Sequence, residues 1–396
     1  MTRPVGPWVR KARRVLPAMR AWRADLHREP ELSNEEHRTQ QKILEALGGL
    51  GITTRTYNDF NGVLGVIAAD RPGPVVALRA DMDALPVTEE TNFPFRSRTP
   101  GKMHACGHDV HMTCLLGAAA ILHREENRLV GPVKLLFQPA EEEGVRGGAL
   151  PFIERGCLED PHADFVVGQH VDPGVALGSI GWKTGPIMAA ADHFVIRIRG
   201  TPGHAAHPHR GPDAVVVAAE IVTGLQALVS RMRNPLDPVV VSVGMIHGGT
   251  RHNILPEEVV LEGTVRTFRA DTRSMMEKNL RRRVALLARS MGASTTTRYI
   301  RGYPVTVNEP KATQIVAEAL RRELGKEYVT EMERPEMGAE DFSRYLEKVP
   351  GTFLRLGVGE PGHPMALHSP TFAPNEAVLI TGAAALASAV EGLQAP

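Results

Sequence analysis

Two hydrophobic periods alternate along the first half of the chain. QQKILEALGGL (residues 40–50) repeats apolar positions at helical spacing and stops at glycine, the pattern of an amphipathic helix. GVLGVIAA (62–69), PVVALRA (74–80), PVKLLFQ (132–138) and DFVVGQH (164–170) are short apolar runs, which predict buried strands. MTCLLGAAAILHREE (112–126) predicts a helix between them. Strands apolar on both faces and separated by helices predict an α/β domain whose mostly parallel sheet is covered on both sides.

From about residue 186 to 301 the pattern changes. HFVIRIRG (193–200) alternates like a half-exposed strand, and residues 213–232 form a long helical stretch. VVVSVGMIHGG (239–249) and VVLEGTVRTF (259–268) predict two strands, 270–292 a second helix, and STTTRYIRGY (294–303) a last strand. The order β-α-β-β-α-β is that of a ferredoxin-like α+β unit. Short helices, strands and glycine-rich turns then resume. The expected organisation is a discontinuous catalytic domain, residues 1–185 and 302–396, with a smaller lid or dimerisation domain inserted at 186–301.

Composition narrows the function classes. The 396 residues allow two domains with buried cores. A net charge of +1 gives no field that would favour nucleic acid. No uninterrupted apolar run reaches the roughly 18 residues of a bilayer span, so no membrane partner is expected. Three cysteines, Cys106, Cys114 and Cys157, are an odd and sparse set. They argue against a disulfide framework and for a reducing, cytoplasmic location. Residues 1–24 carry seven Arg and Lys and no acid, which suits either a transit segment or a first surface helix.

His, Cys, Asp and Glu concentrate in five segments, each in a loop or after a predicted strand, where open α/β sheets place ligands. Asp81 and Asp83 follow PVVAL, and either can touch a metal or orient a ligand. Cys106 and His108, two apart in the turn HACGH, offer thiolate and imidazole, good donors for a borderline divalent ion. Asp109 is a candidate cap for a helix starting near Val110. In QPAEEEG one glutamate can bind metal while its neighbour serves as general base. His170 ends a buried run, and His368 lies in HSPTF near the C-terminus. Ligands scattered this widely suit a catalytic rather than a structural metal site.

DLHREPELSNEEHRT (25–39), ALRADMDALP (77–86), MHACGHDVHM (103–112), FQPAEE (137–142), GQHVDP (168–173), GHAAHPH (203–209), HNILPEEV (252–259), GAEDFSRY (338–345) and HSPTF (368–372) together resemble the M20 metallopeptidase family. The likeness is to its amidohydrolase branch, which includes N-acyl-amino-acid, hippurate and auxin-conjugate hydrolases. The resemblance implies a two-domain fold and two divalent ions per subunit, with Zn, Mn, Co and Ni all open. It implies Cys106 as the bridging ligand, with His108, Glu142, His170 and His368 completing the set. It also implies Glu141 as catalytic base, Asp83 as orienting carboxylate and His204 as oxyanion donor, reaching a partner's site in dimeric relatives. Asn253 and Arg266 match positions that hold the substrate's polar groups and carboxylate. Glu143 stands where the branch usually has glycine, and Glu340 and Asp341 carry no assigned role.

The expected reaction is metal-dependent hydrolysis of an N-acyl amino acid to a carboxylic acid and a free amino acid, by a homodimer. Three other readings stay open: a dipeptidase or aminoacylase-like exopeptidase with the same metals, a thiol amidase using Cys106 with His108, and a non-catalytic metal-dependent binding protein.

Overall fold

Every position of the strands Val76–Asp81 and Val133–Gln138 is buried in the computed structural model, which describes residues 6–395. Burial on both faces accounts for their unbroken apolar sequence. They lie side by side in a sheet of eight strands among the described residues. The order is Thr53–Tyr57, Phe60–Ile67, Val133–Gln138, Val76–Asp81, Phe165–Ala176, Gly351–Gly359, Ile180–Trp182 and Val329–Glu331.

The sheet is mixed. Val133–Gln138, Val76–Asp81, Phe165–Ala176 and Gly351–Gly359 run parallel, as do Ile180–Trp182 and Val329–Glu331. Phe60–Ile67 pairs antiparallel with both neighbours, and Gly351–Gly359 with Ile180–Trp182. The expectation of a mostly parallel sheet holds, with antiparallel pairing where Phe60–Ile67 meets its neighbours and where Gly351–Gly359 meets Ile180–Trp182. A run such as GVLGVIAA reports burial, which parallel and antiparallel neighbours supply equally well.

The helices Pro7–Arg28, His108–Arg124 and Val378–Leu393 pack on one another. The first is more than a surface helix. Trp8, Val9, Ala12, Val15, Met19 and Leu26 join the main core, while Arg10, Arg13, Arg14 and Arg20 face outward. Arg3 lies outside the described residues. Arg23 is fully buried, its Nε donating to Asp109 at 3.0 Å. His27 contacts the same carboxylate at 3.0 Å and Glu89 at 3.1 Å. Asp109 is thus occupied with Arg23 and His27, and makes no capping bond to the helix whose first turn it occupies. All three cysteines are buried and unpaired.

The chain divides into two compact units. The larger comprises the chain up to Ile187, Thr306–Pro335 and the chain from Asp341 onward; the smaller is Met188–Val305 with Glu336–Glu340. The smaller unit has an antiparallel sheet in the order Val239–Gly248, Glu258–Thr267, Ala190–Arg199, Ser294–Arg301. In the alternating strand, Phe194, Ile196 and Ile198 point into a core shared with Val217, Ile221 and Leu225 of the helix Ala214–Arg231. Met276, Leu280 and Val284 of the helix Ala270–Ser290 join them. The helix Ala214–Arg231 has 18 residues and a mean hydropathy of 1.5, so it does reach the length and apolarity of a bilayer span. Its buried stripe packs within this core, while Val215 and Val216 stay exposed on its other side.

Candidate metal centre

The parallel strands end together, and their ends carry the polar segments. Asp81 and Asp83 leave Val76–Asp81, Glu141 and Glu142 follow Val133–Gln138, and His170 lies within Phe165–Ala176. Cys106 and His108 flank Gly107, whose φ of 84° opens the helix His108–Arg124. A side chain at Gly107 would be strained at that φ, and its Cβ would stand 2.6 Å from Val171 Cγ2. Glycine therefore lets the thiol and the imidazole sit on either side of one tight turn.

The donor atoms converge in two overlapping sets. Cys106, His108 and His170 place one ligand atom each within 4.8 Å of one another, and so do Cys106, Glu142 and His368. Cys106 belongs to both. Its Sγ lies 3.3 Å from His170 Nε2. Its imidazole neighbour is therefore His170, whereas the thiol-amidase reading requires His108. His170 Nδ1 contacts the carbonyl oxygen of Val171 at 2.8 Å. A carbonyl can only accept, so Nδ1 carries the proton and Nε2 presents a lone pair to the sulfur. His368 Nε2 lies 3.3 Å from Glu142 Oε1, which is 4.0 Å from His108 Nε2.

Asp83 organises this arrangement without joining either set. One oxygen contacts His108 Nδ1 at 3.2 Å; the other accepts from the Glu142 amide at 2.9 Å and from the Ser33 hydroxyl at 2.7 Å. It orients the ring and anchors the glutamate loop together. His108 Nε2 is left buried with no hydrogen bond, facing the carboxylates.

The electrostatics favour positive charge. Burial alone would push His108 down, yet Asp81, Asp83 and Glu142 outweigh it and hold the ring up at about 10. Burial, followed by the charges of Glu142 and Glu141, pushes the Cys106 thiol well above its usual range. A field that retains a proton on imidazole also attracts a divalent cation, and a bound cation keeps the thiol ionised. The orphaned imidazole nitrogen, the sulfur, the second imidazole and the carboxylate form a donor set that fits a borderline divalent metal.

Several supporting residues were not legible as such in the sequence. His111 stands in the histidine-rich turn but is no free donor: Nδ1 contacts Asp81 at 2.6 Å and Nε2 accepts from the Val171 amide at 2.9 Å. Asp341 takes a role the sequence left open. It accepts from Arg79 at 2.7 Å, from Gln138 Nε2 at 2.8 Å and from the Ala149 amide at 2.9 Å. Glu143 turns its carboxylate away from the donor sets onto the amides of Val145, Arg146 and Gly147 at 3.2, 2.7 and 2.9 Å. The departure from glycine at that position therefore closes the loop on itself.

In the smaller unit His204 and Asn253 are neighbours: the Ala205 amide donates to the Asn253 carbonyl at 3.0 Å, and His204 pairs with Ile254. His204 Nδ1 accepts from the Ala206 amide at 3.0 Å, which leaves the neutral ring with a donor at Nε2. Arg266 is not with them. It pairs with Ala191, while Glu258, at the other end of the same strand, pairs with Arg199. Eight residues of strand separate the two ends by about 26 Å.

Comparison with known proteins identifies the family. The family model described as peptidase family M20/M25/M40 matches residues 77–392. The chain is 40% identical to the N-acetyl-L-cysteine deacetylase of Bacillus subtilis, over 90% of this chain and 84% of that protein. It is 38% identical to thermostable carboxypeptidase 1 of Saccharolobus solfataricus, over 92% of each. The crystal structure of the Bacillus subtilis YXEP protein, described as a dinuclear metal binding peptidase of the M20 family, superposes with a TM-score of 0.81 at 33% identity, covering 96% of this chain and 98% of that one. On a match of this extent and identity, the chain belongs to peptidase family M20/M25/M40, in its amidohydrolase branch, and is a hydrolase.

Proposed function

We propose that this chain hydrolyses the amide bond of N-acyl amino acids, using two divalent cations held by Cys106, His108, His170, Glu142 and His368. The observation that carries the reading is that two donor sets share the Cys106 sulfur. Bound there, the two cations would acidify a water and polarise the acyl carbonyl. Zinc, manganese, cobalt and nickel all suit imidazole and carboxylate donors, and the thiolate favours the softer of them.

Glu141 takes the proton from the attacking water and returns it to the departing nitrogen. The C–N bond breaks as the new C–O bond forms, which leaves a carboxylic acid and a free amino acid. Asp83 keeps His108 and the Glu142 loop in register throughout. His204 donates from Nε2 to the carbonyl oxygen as it gains negative charge. Asn253 binds polar groups of the substrate, and Arg266 pairs with its carboxylate, a bidentate contact that guanidinium geometry favours. Three buried free thiols suit a reducing, cytoplasmic setting.

The carboxypeptidase relative favours a second reading, cleavage of peptides at the same centre. A metal-reconstituted screen over N-acetyl, N-benzoyl and N-indoleacetyl amino acids, with dipeptides alongside, separates the two. We expect turnover of at least one N-acyl class, abolished by chelation and restored by metal. Faster cleavage of dipeptides than of every N-acyl amino acid would replace this reading with the peptidase. Activity that survives chelation would support the thiol amidase, and full metal occupancy without turnover a binding protein.

We also propose a homodimer in which His204 serves the partner's site. His204 lies in a two-stranded ladder with Ile254, and Arg266 in the four-stranded sheet at the strand end opposite Glu258, which supports two sites being served by one unit. Met245 and Ile246 are exposed on the edge strand Val239–Gly248, and Val215 and Ile254 are exposed nearby, which suits a self-complementary contact. Mixing inactive Glu141→Gln and His204→Ala enzymes under subunit exchange should regenerate activity, because some mixed dimers then hold one intact site. Demonstrated exchange with no recovery places His204 in its own chain's site or in none.

A further inference from the structure

We propose that Glu36 is a positioning residue for the hydrolysis: its carboxylate holds Ala140 in the left-handed turn that presents Glu141 and Glu142. The inference rests on the roles assigned to those two glutamates above.

The chain must turn sharply between the strand Val133–Gln138 and the two carboxylates. Pro139 has no N–H and cannot be tied by one. The turn falls on Ala140, with φ 57° and ψ 40°. A residue with a Cβ is uncommon there, and glycine is the usual occupant. Such a conformation persists only where the surroundings fix it. The Ala140 amide donates to Glu36 Oε1 at 2.8 Å. The other Glu36 oxygen accepts from Asn61 Nδ2 at 3.2 Å. Glu36 is fully buried, and both of these partners are neutral donors. Burial, followed by the charge of Asp83, pushes its carboxyl up to about 7, so an acid on neutral donors there is costly to fold. The contact that repays retaining a carboxylate there is the one to the residue just before Glu141. Glu36 lies in the ELSNEEH segment, 104 residues earlier in the chain, and approaches the loop without entering either donor set.

Three variants, Glu36→Ala, Glu36→Gln and the double variant Glu36→Ala with Ala140→Gly, test this in the metal-loaded full chain. Leaving the buried Ala140 amide without its acceptor should lower kcat in Glu36→Ala about 10- to 100-fold, with KM within about twofold and bound metal unchanged. Glu36→Gln keeps an acceptor oxygen and should lose less than about tenfold. The decisive expectation is rescue: glycine at 140 adopts positive φ unaided, so the double variant should recover most of the lost kcat. If Glu36→Ala does not fold, Glu36→Gln with and without Ala140→Gly carries the same comparison. The proposal is overturned by wild-type kcat in Glu36→Ala, by a loss that follows lost metal or lost folded protein, or by no rescue from glycine. Glu141→Gln assayed in parallel separates the failures. If it keeps turnover, the assignment of the base is wrong; if it is inactive while Glu36→Ala is unimpaired, only the role of Glu36 falls.

Discussion

Glu141→Gln should lose about 10²- to 10⁴-fold in turnover, the range of general acid–base catalysis, while keeping its full metal content. The expectation comes from sorting three consecutive glutamates by what each carboxylate meets. Glu142 faces His368 and His108 in the donor sets. Glu143 is exposed and folded back onto three amides of its own loop. Glu141 is buried, and its carboxylate groups with His108 and Glu142. Its place beside His108 and Glu142, outside the two sets that share the Cys106 sulfur, suits the proton transfer proposed for it. Glutamine has the same shape and one carbonyl oxygen but cannot carry the proton from water to the leaving nitrogen. Elemental analysis beside steady-state kinetics checks both halves. Turnover within about tenfold of the parent enzyme would move the proton transfer to another group.

The second large effect separates Cys106 from the other ligands. Its sulfur belongs to both donor sets, whereas His170 belongs to one and His368 to the other. Cys106→Ala should therefore strip both ions and abolish activity, while His170→Ala and His368→Ala should each weaken one ion more than its neighbour. His108→Ala should lose metal and activity together. Asp83→Asn should be milder. It touches His108 and the Glu142 amide and lies outside both sets, and losing such a support weakens metal binding about 10- to 100-fold. Metal content per chain, measured after dialysis against a weak chelator, ranks the four ligand variants. Two ions retained in Cys106→Ala would refute a shared sulfur ligand.

These expectations draw unequally on sequence and fold. Hydrophobic period located the buried strands and the β-α-β-β-α-β unit, because burial and period-two alternation are written locally in residue type. HFVIRIRG alternates because Phe194, Ile196 and Ile198 face a core while Arg197 and Arg199 face out. The residue types of the candidate centre were equally legible, since thiol, imidazole and carboxylate are few and cluster in short segments. Strand direction was not. Phe60–Ile67 is apolar whichever way its neighbours run, and Gly351–Gly359 reaches its place beside Phe165–Ala176 through pairing across nearly two hundred residues of chain.

Only the tertiary structure decided which atoms meet. Asp109 reads as a helix cap until the buried Arg23 and His27 claim its carboxylate. His111 stands in the same histidine-rich turn as His108, yet Asp81 and the Val171 amide occupy both of its ring nitrogens. Asn253 and Arg266 lie thirteen residues apart in sequence, yet the fold sets Asn253 beside His204 and Arg266 at the far end of the strand. Sequence determined the chemical groups and the periodic elements because those depend on each residue and its near neighbours. The pairing of Cys106 with His170, of Asp83 with two ligands and of Glu36 with Ala140 depends on contacts between distant segments, and folding alone brings those together.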